Sequence, residues 1–356
     1  MQPVAHERAS LHAILVFATC LVLSSCYVTA EGTHYLVLRG KAVPVAAALT
    51  DPKTSPEVRV LLDRVAEIRF FAVNELGLRE TKNYTSIVTL DSDRLATVVS
   101  ACAELSFDRH EWNYPFVGKL PYRGYFNPRE AQEEADRLKA QGLDTIIRPV
   151  DAFSTLGWFT DPLFSFMASY SEADIANLII HESTHATVFV KGAGDFDEEL
   201  AVFVGGEGSL LWLVSKYGER SPQVADLLRS RADDAAFSAW LHGTAEELQK
   251  VYDSGSTAAE KRTQKAAIIA SRAADFKSEF TRHFVTARYK DFPMEKLNNA
   301  YLDLYRLYEG EPELYKDYYE KMCGSSMKLF MTEVARIAKH GGDPREGMRK
   351  ELATAG

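Results

Sequence analysis

His181, Glu182 and His185 have the residue types and the spacing that metal-assisted hydrolysis requires. They lie in the stretch IIHESTHATVF, residues 179–189. Residues four apart on an α-helix are about 40° from each other on one face, so both imidazoles can bind one ion. Glu182 lies about 100° round the helix, where it flanks the ion without binding it. The alternative interpretation is an ordinary amphipathic helix that carries two histidines.

This arrangement predicts a specific chemistry. A zinc ion with neutral imidazole ligands can keep one position open for a water molecule, whose pKa then falls to about 7. A neighbouring carboxylate accepts the water's proton as the oxygen attacks a carbonyl. One helix would therefore supply two zinc ligands, His181 and His185, and a general base, Glu182.

The segment before the motif predicts a buried helix with a defined start. Ser171 begins the sequence SEAD, which is typical of a capping box with Ser171 as N-cap and Asp174 three residues later. The residues between this cap and His181 are mostly apolar: Ile175, Leu178, Ile179 and Ile180.

Two imidazoles bind zinc weakly, so a third ligand is expected nearby. The stretch GAGD turns the chain after Lys191, with Gly192 and Gly194 permitting a sharp reversal. In the helix that follows, Glu198 and Glu199 are both candidates by spacing. The structural alternative is that Glu198 only completes a capping box begun by Asp195.

A family resemblance bears on this choice. HESTH followed by FDEELA resembles the HExxH plus NExxA arrangement of the gluzincins, zinc peptidases in which the glutamate of the second motif is the third ligand. The resemblance implies that Glu198 is that ligand, that one Zn²⁺ is bound per chain, and that a peptide or protein is the substrate.

The resemblance extends to a bacterial family described as "putative aminopeptidases", which occur as exported lipoproteins. It implies a zincin-like metallopeptidase fold and aminopeptidase activity. The matching blocks are IRFFAVNELGL (68–78), WNYPFVGKLPYRGYF (112–126), DAFSTLGWFTDPLFSFM (151–167), IIHESTHATVFV, FDEELAVFV and NNAYLDLY (298–305).

Four positions depart from the family pattern. Asp197 stands in place of the usual asparagine, and Gly205 stands where a glutamate is expected. Ser183 and Thr184 replace a more apolar pair inside the motif. The change at Gly205 bears on the residues that support the ligands, which can alter metal affinity or activity by about 10- to 100-fold.

The periodicity of the chain predicts an α+β fold, predominantly helical, with a small β-sheet in the N-terminal half. A helix is expected from Ser55 to Leu76, stopped by Gly77. Segments 96–105, 114–126 and 143–153 favour strands, with a charged helix before the last of them. Helices are then expected at 171–191, 196–217, 221–253, 257–290, 293–309 and 311–339, the last with a break near Gly324.

We interpret residues 55–345 as a single domain and residues 26–54 as an N-terminal linker or extension. The polar tail GGDPREGMRKELATAG, which starts at Gly341, is expected to fray.

The first 25 residues have the character of a signal peptide. Arg8 precedes the apolar run Leu11–Leu23, which is too short for a membrane span of about 20 residues. LSSC at 23–26 resembles a bacterial lipobox, which predicts Cys26 as a lipidated mature N-terminus. The alternative is an ordinary signal peptide with Cys26 as an incidental thiol. Either way we expect an exported bacterial protein on the periplasmic side, and the lipobox interpretation adds a lipid that anchors it to a membrane.

Net charge and cysteine content disfavour two other classes, nucleic-acid-binding proteins and disulfide-rich proteins. The formal net charge is −9 and no stripe of Lys or Arg occurs, which argues against a nucleic-acid partner.

Cys102 and Cys323 are the only cysteines after Cys26. We expect two buried thiols there in preference to a bridge, because free cysteine is among the most buried residue types. The sequence makes no prediction of oligomeric state.

Aromatic and basic residues outside the motif allow further roles. Tyr122 or Tyr125 could donate a hydrogen bond to a developing oxyanion, and Arg123 could bind a substrate carboxylate. Packing is the favoured interpretation for both tyrosines. It is also favoured for His283, Arg288 and Tyr289, which fall within a predicted long helix.

Two functional hypotheses follow. The first is a zinc-dependent peptidase, in particular an aminopeptidase. The second is an envelope chaperone or assembly factor that retains a zinc site with little or no peptidase activity.

Overall fold

A computed structural model of the chain describes residues 31–114, 118–150, 160–307 and 310–355. The predicted signal segment, residues 1–25, and Cys26 lie outside the described residues, as do 151–159 of an aromatic block. None of the helices in the described ranges combines the length and the apolar character needed to cross a membrane.

The described residues contain three small β-sheets. The strands are β1 Val43–Pro44, β2 Ser86–Val88, β3 Ala96–Ala103, β4 Trp112–Tyr114, β5 Gly118–Leu120, β6 Arg123–Tyr125, β7 Leu143–Val150 and β8 Leu163–Phe164. The long strand β3 lies between β6 and β7, antiparallel to both. A second sheet has the order β1-β2-β8, and β4 pairs only with β5. The three predicted strand segments are confirmed where they are described, but they contribute to more than one sheet.

Helices dominate the rest, which confirms the α+β class. They are α1 (described from 31 to 40), α2 Val45–Thr50, α3 Pro56–Asn74, α4 Pro128–Lys139, α5 Glu172–Thr187, α6 Gly194–Tyr217, α7 Pro222–Tyr252, α8 Ala258–His283, α9 Asn299–Leu307, α10 Pro312–Asp317, α11 Met327–Lys339 and α12 Pro344–Ala355. A π-helical turn, Tyr318–Met322, follows α10.

Local signals place several helix starts where the sequence predicts them. The Ser55 side chain caps α3, and the Ser171 hydroxyl accepts a hydrogen bond from the Asp174 amide at 3.1 Å at the start of α5. Each bond satisfies an amide that has no partner within its helix.

Two helices end earlier than predicted. α5 stops at Thr187, and α8 stops at His283 with Phe284 in an extended conformation. After α8 the fully buried Asp233 accepts hydrogen bonds from the backbone amides of Val285 and Thr286, at 2.6 and 2.8 Å. This long-range carboxylate takes the place of the helical carbonyl acceptors, so Arg288 and Tyr289 lie outside the helix.

Three hydrophobic cores hold these elements together. The largest joins α3, α5, α6 and the C-terminal helices, and its fully buried members include Leu61, Ile68, Ile179, Phe196 and Phe330. A second core lies among α7, α8 and α9. The third lies between α4 and the sheet that contains β3. The elements that carry the metal motif therefore belong to the largest core.

The expectation of a frayed tail is wrong. Gly341 and Gly342 adopt φ values of +77° and +82°, which turn the chain back after α11. α12 follows, and Met348 within it is completely buried in the largest core. The only large apolar residues of this segment are Met348 and Leu352, and two such residues among polar neighbours are too few to establish a helical periodicity.

The expectation for the two cysteines is confirmed. Cys102 and Cys323 are free and buried. Burial raises the pKa of the Cys102 thiol to about 12 and that of Cys323 to about 11. Both thiols are therefore protonated and unreactive at neutral pH.

The buried position of Met348 leads to a stability prediction. Met348→Ala should lower the free energy of unfolding by about 2–5 kcal/mol, the usual cost of truncating a buried large side chain. Chemical denaturation followed by circular dichroism measures this. The control is Leu329→Ala on α11, where the side chain is 42% exposed, and a frayed tail would make Met348→Ala as mild as this control.

Candidate metal centre

The motif helix α5 and the next helix α6 form a hairpin joined by residues 188–193. Gly192 turns this loop with φ +87°, whereas Gly194 is already the first residue of α6. Ala193 is the N-cap of α6 and makes no side-chain hydrogen bond. The capping box from Asp195 to Glu198 is therefore wrong, and Glu198 needs another explanation.

The two helices approach closely at Gly205. A Cβ atom at this position would lie 2.7 Å from Asn177 Oδ1, 3.0 Å from His181 Cβ and 3.1 Å from the Asn177 carbonyl oxygen. One turn further, a Cβ at Gly208 would lie 2.9 Å from Leu76 and 3.0 Å from Ile180. Gly205 therefore has a packing role, and the glutamate expected from the family resemblance would not fit this hairpin.

This close approach brings His181, His185 and Glu198 together. The two histidine Nε2 atoms are 3.2 Å apart. Glu198 Oε1 lies 3.4 Å from His185 Nε2, and Oε2 lies 3.7 Å from His181 Nε2. Donor atoms that are tetrahedrally arranged about 2.0–2.1 Å from a zinc ion are about 3.3–3.4 Å from each other. The three side chains thus have the chemistry and the spacing to hold one zinc ion.

Burial puts the imidazoles in the protonation state that metal binding requires. Desolvation, with a smaller contribution from His185, lowers the pKa of His181 to about 4, and a hydrogen bond to the backbone of Ala201 opposes this shift. Desolvation also lowers the pKa of His185. Both rings are therefore neutral at pH 7 and present lone pairs. The contact with Ala201 is of the kind that orients a metal-binding imidazole.

Three consecutive acidic residues at the start of α6 have three different environments. Glu198 has the most exposed side chain, at 56%, and faces the histidines. Glu199 accepts hydrogen bonds from the Tyr315 hydroxyl at 2.9 Å and from Arg345 at 3.0 Å. The spacing alone allowed either glutamate, and the rotation of α6 directs only Glu198 to the histidines.

Asp197 has the third environment. It is 4% exposed, and its Oδ1 accepts the Val190 amide at 2.9 Å, which ties the loop to α6. Oδ2 has no hydrogen-bond partner within the described ranges. Burial raises the pKa of Asp197 to about 6. The neutral asparagine that is usual in the family would keep the same acceptor oxygen.

Glu182 and its surroundings contain a residue that the sequence analysis missed. Tyr84 is buried, and the nearby Glu182 carboxylate adds to the effect of desolvation in raising the pKa of its phenol. Tyr84 has φ +62°, an uncommon conformation for a bulky side chain. No periodicity or motif in the sequence marks this residue, because only the fold brings it near α5.

The remaining candidates lie elsewhere. Tyr125 is buried in the third core, and Tyr122, on the loop before β6, is 37% exposed. Their role as oxyanion donors, and that of Arg123 as a carboxylate ligand, stay predictions. The Tyr289 hydroxyl donates to Asp234 at 2.6 Å, and Arg288 forms an ion pair with the same carboxylate.

The two polar replacements inside the motif are satisfied locally. The Ser183 hydroxyl donates to the Ile179 carbonyl at 2.6 Å, and the Thr184 hydroxyl donates to the Ile180 carbonyl at 2.8 Å. Each side chain bonds the helix turn before it, so neither leaves a buried donor unpaired.

The tight crossing predicts an unusual response to a small substitution. Gly205→Ala should destabilise the protein by about 1–3 kcal/mol through overpacking, less the roughly 1 kcal/mol gained in helix propensity, and should weaken zinc binding. Gly206→Ala is the matched control, because its nearest contact would be Arg231 at 3.9 Å. Chemical denaturation and zinc titration compare the two, and equal effects of both substitutions would contradict the packing role.

The different environments of neighbouring glutamates give a second matched pair. Glu198→Gln should abolish retention of zinc during dialysis against a chelator, because the neutral amide is a poorer ligand. Glu199→Gln should retain zinc but lower the free energy of unfolding by about 1–3 kcal/mol, since it weakens the hydrogen bonds that a half-buried carboxylate accepts from Tyr315 and Arg345. Metal analysis and thermal unfolding measure both, and loss of zinc from the Glu199 variant alone would contradict the assignment.

Comparison with known proteins identifies the family of the chain. No curated protein and no solved structure matches the chain. The model of the family described as "Putative aminopeptidase" matches residues 26–348. This match includes the whole α5–α6 hairpin and most of the described fold, so the chain belongs to that aminopeptidase family.

Proposed function

We propose that the protein is a zinc-dependent peptidase of zincin type, and specifically an aminopeptidase. The observation that carries the proposal is the convergence of three side chains, His181, His185 and Glu198, whose nearest nitrogen and oxygen atoms are 3.2–3.7 Å apart. Membership of the aminopeptidase family supports the reaction class. The spacing of the donors favours one zinc ion per chain.

The side chains divide the work of hydrolysis. His181, His185 and Glu198 would hold the ion, and the bound zinc would lower the pKa of a water molecule and polarise the scissile carbonyl. Glu182 accepts the proton of the attacking water. It then donates that proton to the amine that leaves when the C–N bond breaks, so the carboxylate is regenerated.

The hairpin supports this division because each role has a separate place. Glu182 directly follows His181 in α5. Its side chain projects about 100° round the helix from that of His181, so it flanks the proposed ligands. Glu198 comes from the second helix and closes the ligand set. Neutral imidazoles bind the ion without prior loss of a proton.

We also propose that the protein is exported and anchored to a membrane by a lipid on Cys26. The sequence of residues 1–26 supports this part of the proposal.

The decisive experiment separates metal binding from catalysis. Glu182→Gln should retain about one zinc per chain and reduce peptide cleavage by about 10²–10⁴-fold, because the amide cannot accept a proton. Glu207→Gln on α6 is the control and should keep full activity. Metal analysis and cleavage of a broad peptide library measure the two properties.

Two results would contradict the proposal. A wild-type protein with full zinc and no cleavage of any peptide would favour the chaperone or assembly-factor alternative. Zinc that stays bound in His185→Ala would exclude this metal centre altogether.

A further inference from the structure

The solvent-facing side of α6 is unusually narrow beside the metal ligands. From Phe196 to Val214, a stretch that is described throughout, only Glu198 and Val202 are exposed. Val202 is 53% exposed. Residues four apart on a helix have Cβ atoms about 5–6 Å from each other, so Val202 lies one helical turn from Glu198 on the same face of α6.

An exposed polar side chain on α5, Asn177, lies one helical turn from His181. Asn177 is exposed and precedes His181 by one helical turn, as Val202 follows Glu198 by one turn. Asn177 Oδ1 is only 2.7 Å from the position that a Cβ on Gly205 would occupy. The carboxamide therefore packs against Gly205, which follows Val202 by three residues.

The pairing of these two residues has the character of a small subsite. A single exposed valine on a protein surface needs no explanation. Here the apolar side chain is one of two exposed positions in a stretch that is otherwise buried or half-buried, and the other position is the proposed metal ligand Glu198. Binding sites commonly combine apolar contact surface with a few polar groups that orient the ligand.

We propose that Val202 and Asn177 form a specificity subsite next to the metal centre. Val202 packs against an apolar side chain on the substrate residue that adjoins the scissile bond, and the Asn177 carboxamide hydrogen-bonds the substrate backbone. The preferred substrate class is thus peptides with an apolar residue beside the cleaved bond. This inference rests on the proposed peptidase function and deepens it.

The test uses peptides that differ only at the residues adjoining a bond that the wild-type protein cleaves. The wild-type protein should prefer leucine to aspartate there by roughly tenfold or more in kcat/KM, the scale on which apolar pockets discriminate. Val202→Thr, which keeps the shape but adds a hydroxyl, should reduce this preference severalfold. Val202→Arg should move the preference toward aspartate. Asn177→Ala should raise KM for all peptides alike.

Matched controls separate a specificity role from a structural one. Val60→Thr and Val60→Arg on α3 change a valine of the same 53% exposure and should leave selectivity unchanged. Zinc content should be unchanged in every variant. Rescue of Asn177→Ala by glutamine at this position would support the hydrogen bond.

Each contrary result has a separate meaning. Full cleavage with unchanged selectivity in the Val202 variants would overturn the subsite and leave the peptidase function standing. Loss of zinc from these variants would show that Val202 supports the metal centre instead of contacting substrate. Absence of cleavage by the wild-type protein would overturn both the proposed function and this inference.

Discussion

The close contact between α5 and α6 at Gly205 is the constraint on which the candidate site depends. Any Cβ at this position would lie within 3.1 Å of Asn177 and His181, so only glycine allows the helices to approach this closely. The same approach brings Glu198 within 3.7 Å of both imidazoles. Packing in the largest core and the geometry of the candidate metal centre are therefore coupled, because a shift of either helix separates Glu198 from the two histidines.

Burial in this hairpin also sets the charge of the ligands. Desolvation disfavours the protonated imidazole, which lowers the pKa of both His181 and His185. Glu198 lies at the exposed edge of the same cluster, where solvent can reach it. A site with two neutral ligands and one anionic ligand suits a divalent cation, because one negative charge partly compensates the ion.

Helices α10 and α12 contact α6 of the hairpin through Glu199. Arg345, at the start of α12, binds Glu199, and Tyr315 of α10 binds the same carboxylate. Glu199 is adjacent to the proposed ligand Glu198, so the chain's last described helix helps to fix the rotation of α6. Asp197 completes this arrangement by holding the loop through the Val190 amide. Asp197, Glu198 and Glu199 thus contact the loop, the two histidines and the C-terminal helix, respectively.

The sequence by itself determined the local features of this protein. Helical periodicity and capping residues predicted α3 and α5, and the HExxH spacing placed His181 and His185 on one face, because these properties depend on residues within one or two turns. Tertiary structure decided what depends on distant partners. Asp233 ended α8 early, Met348 anchored a tail that looked polar, and the rotation of α6 chose Glu198 over Glu199. The physical reason is that hydrogen bonds and burial between residues far apart in the chain leave no periodic signal in the sequence.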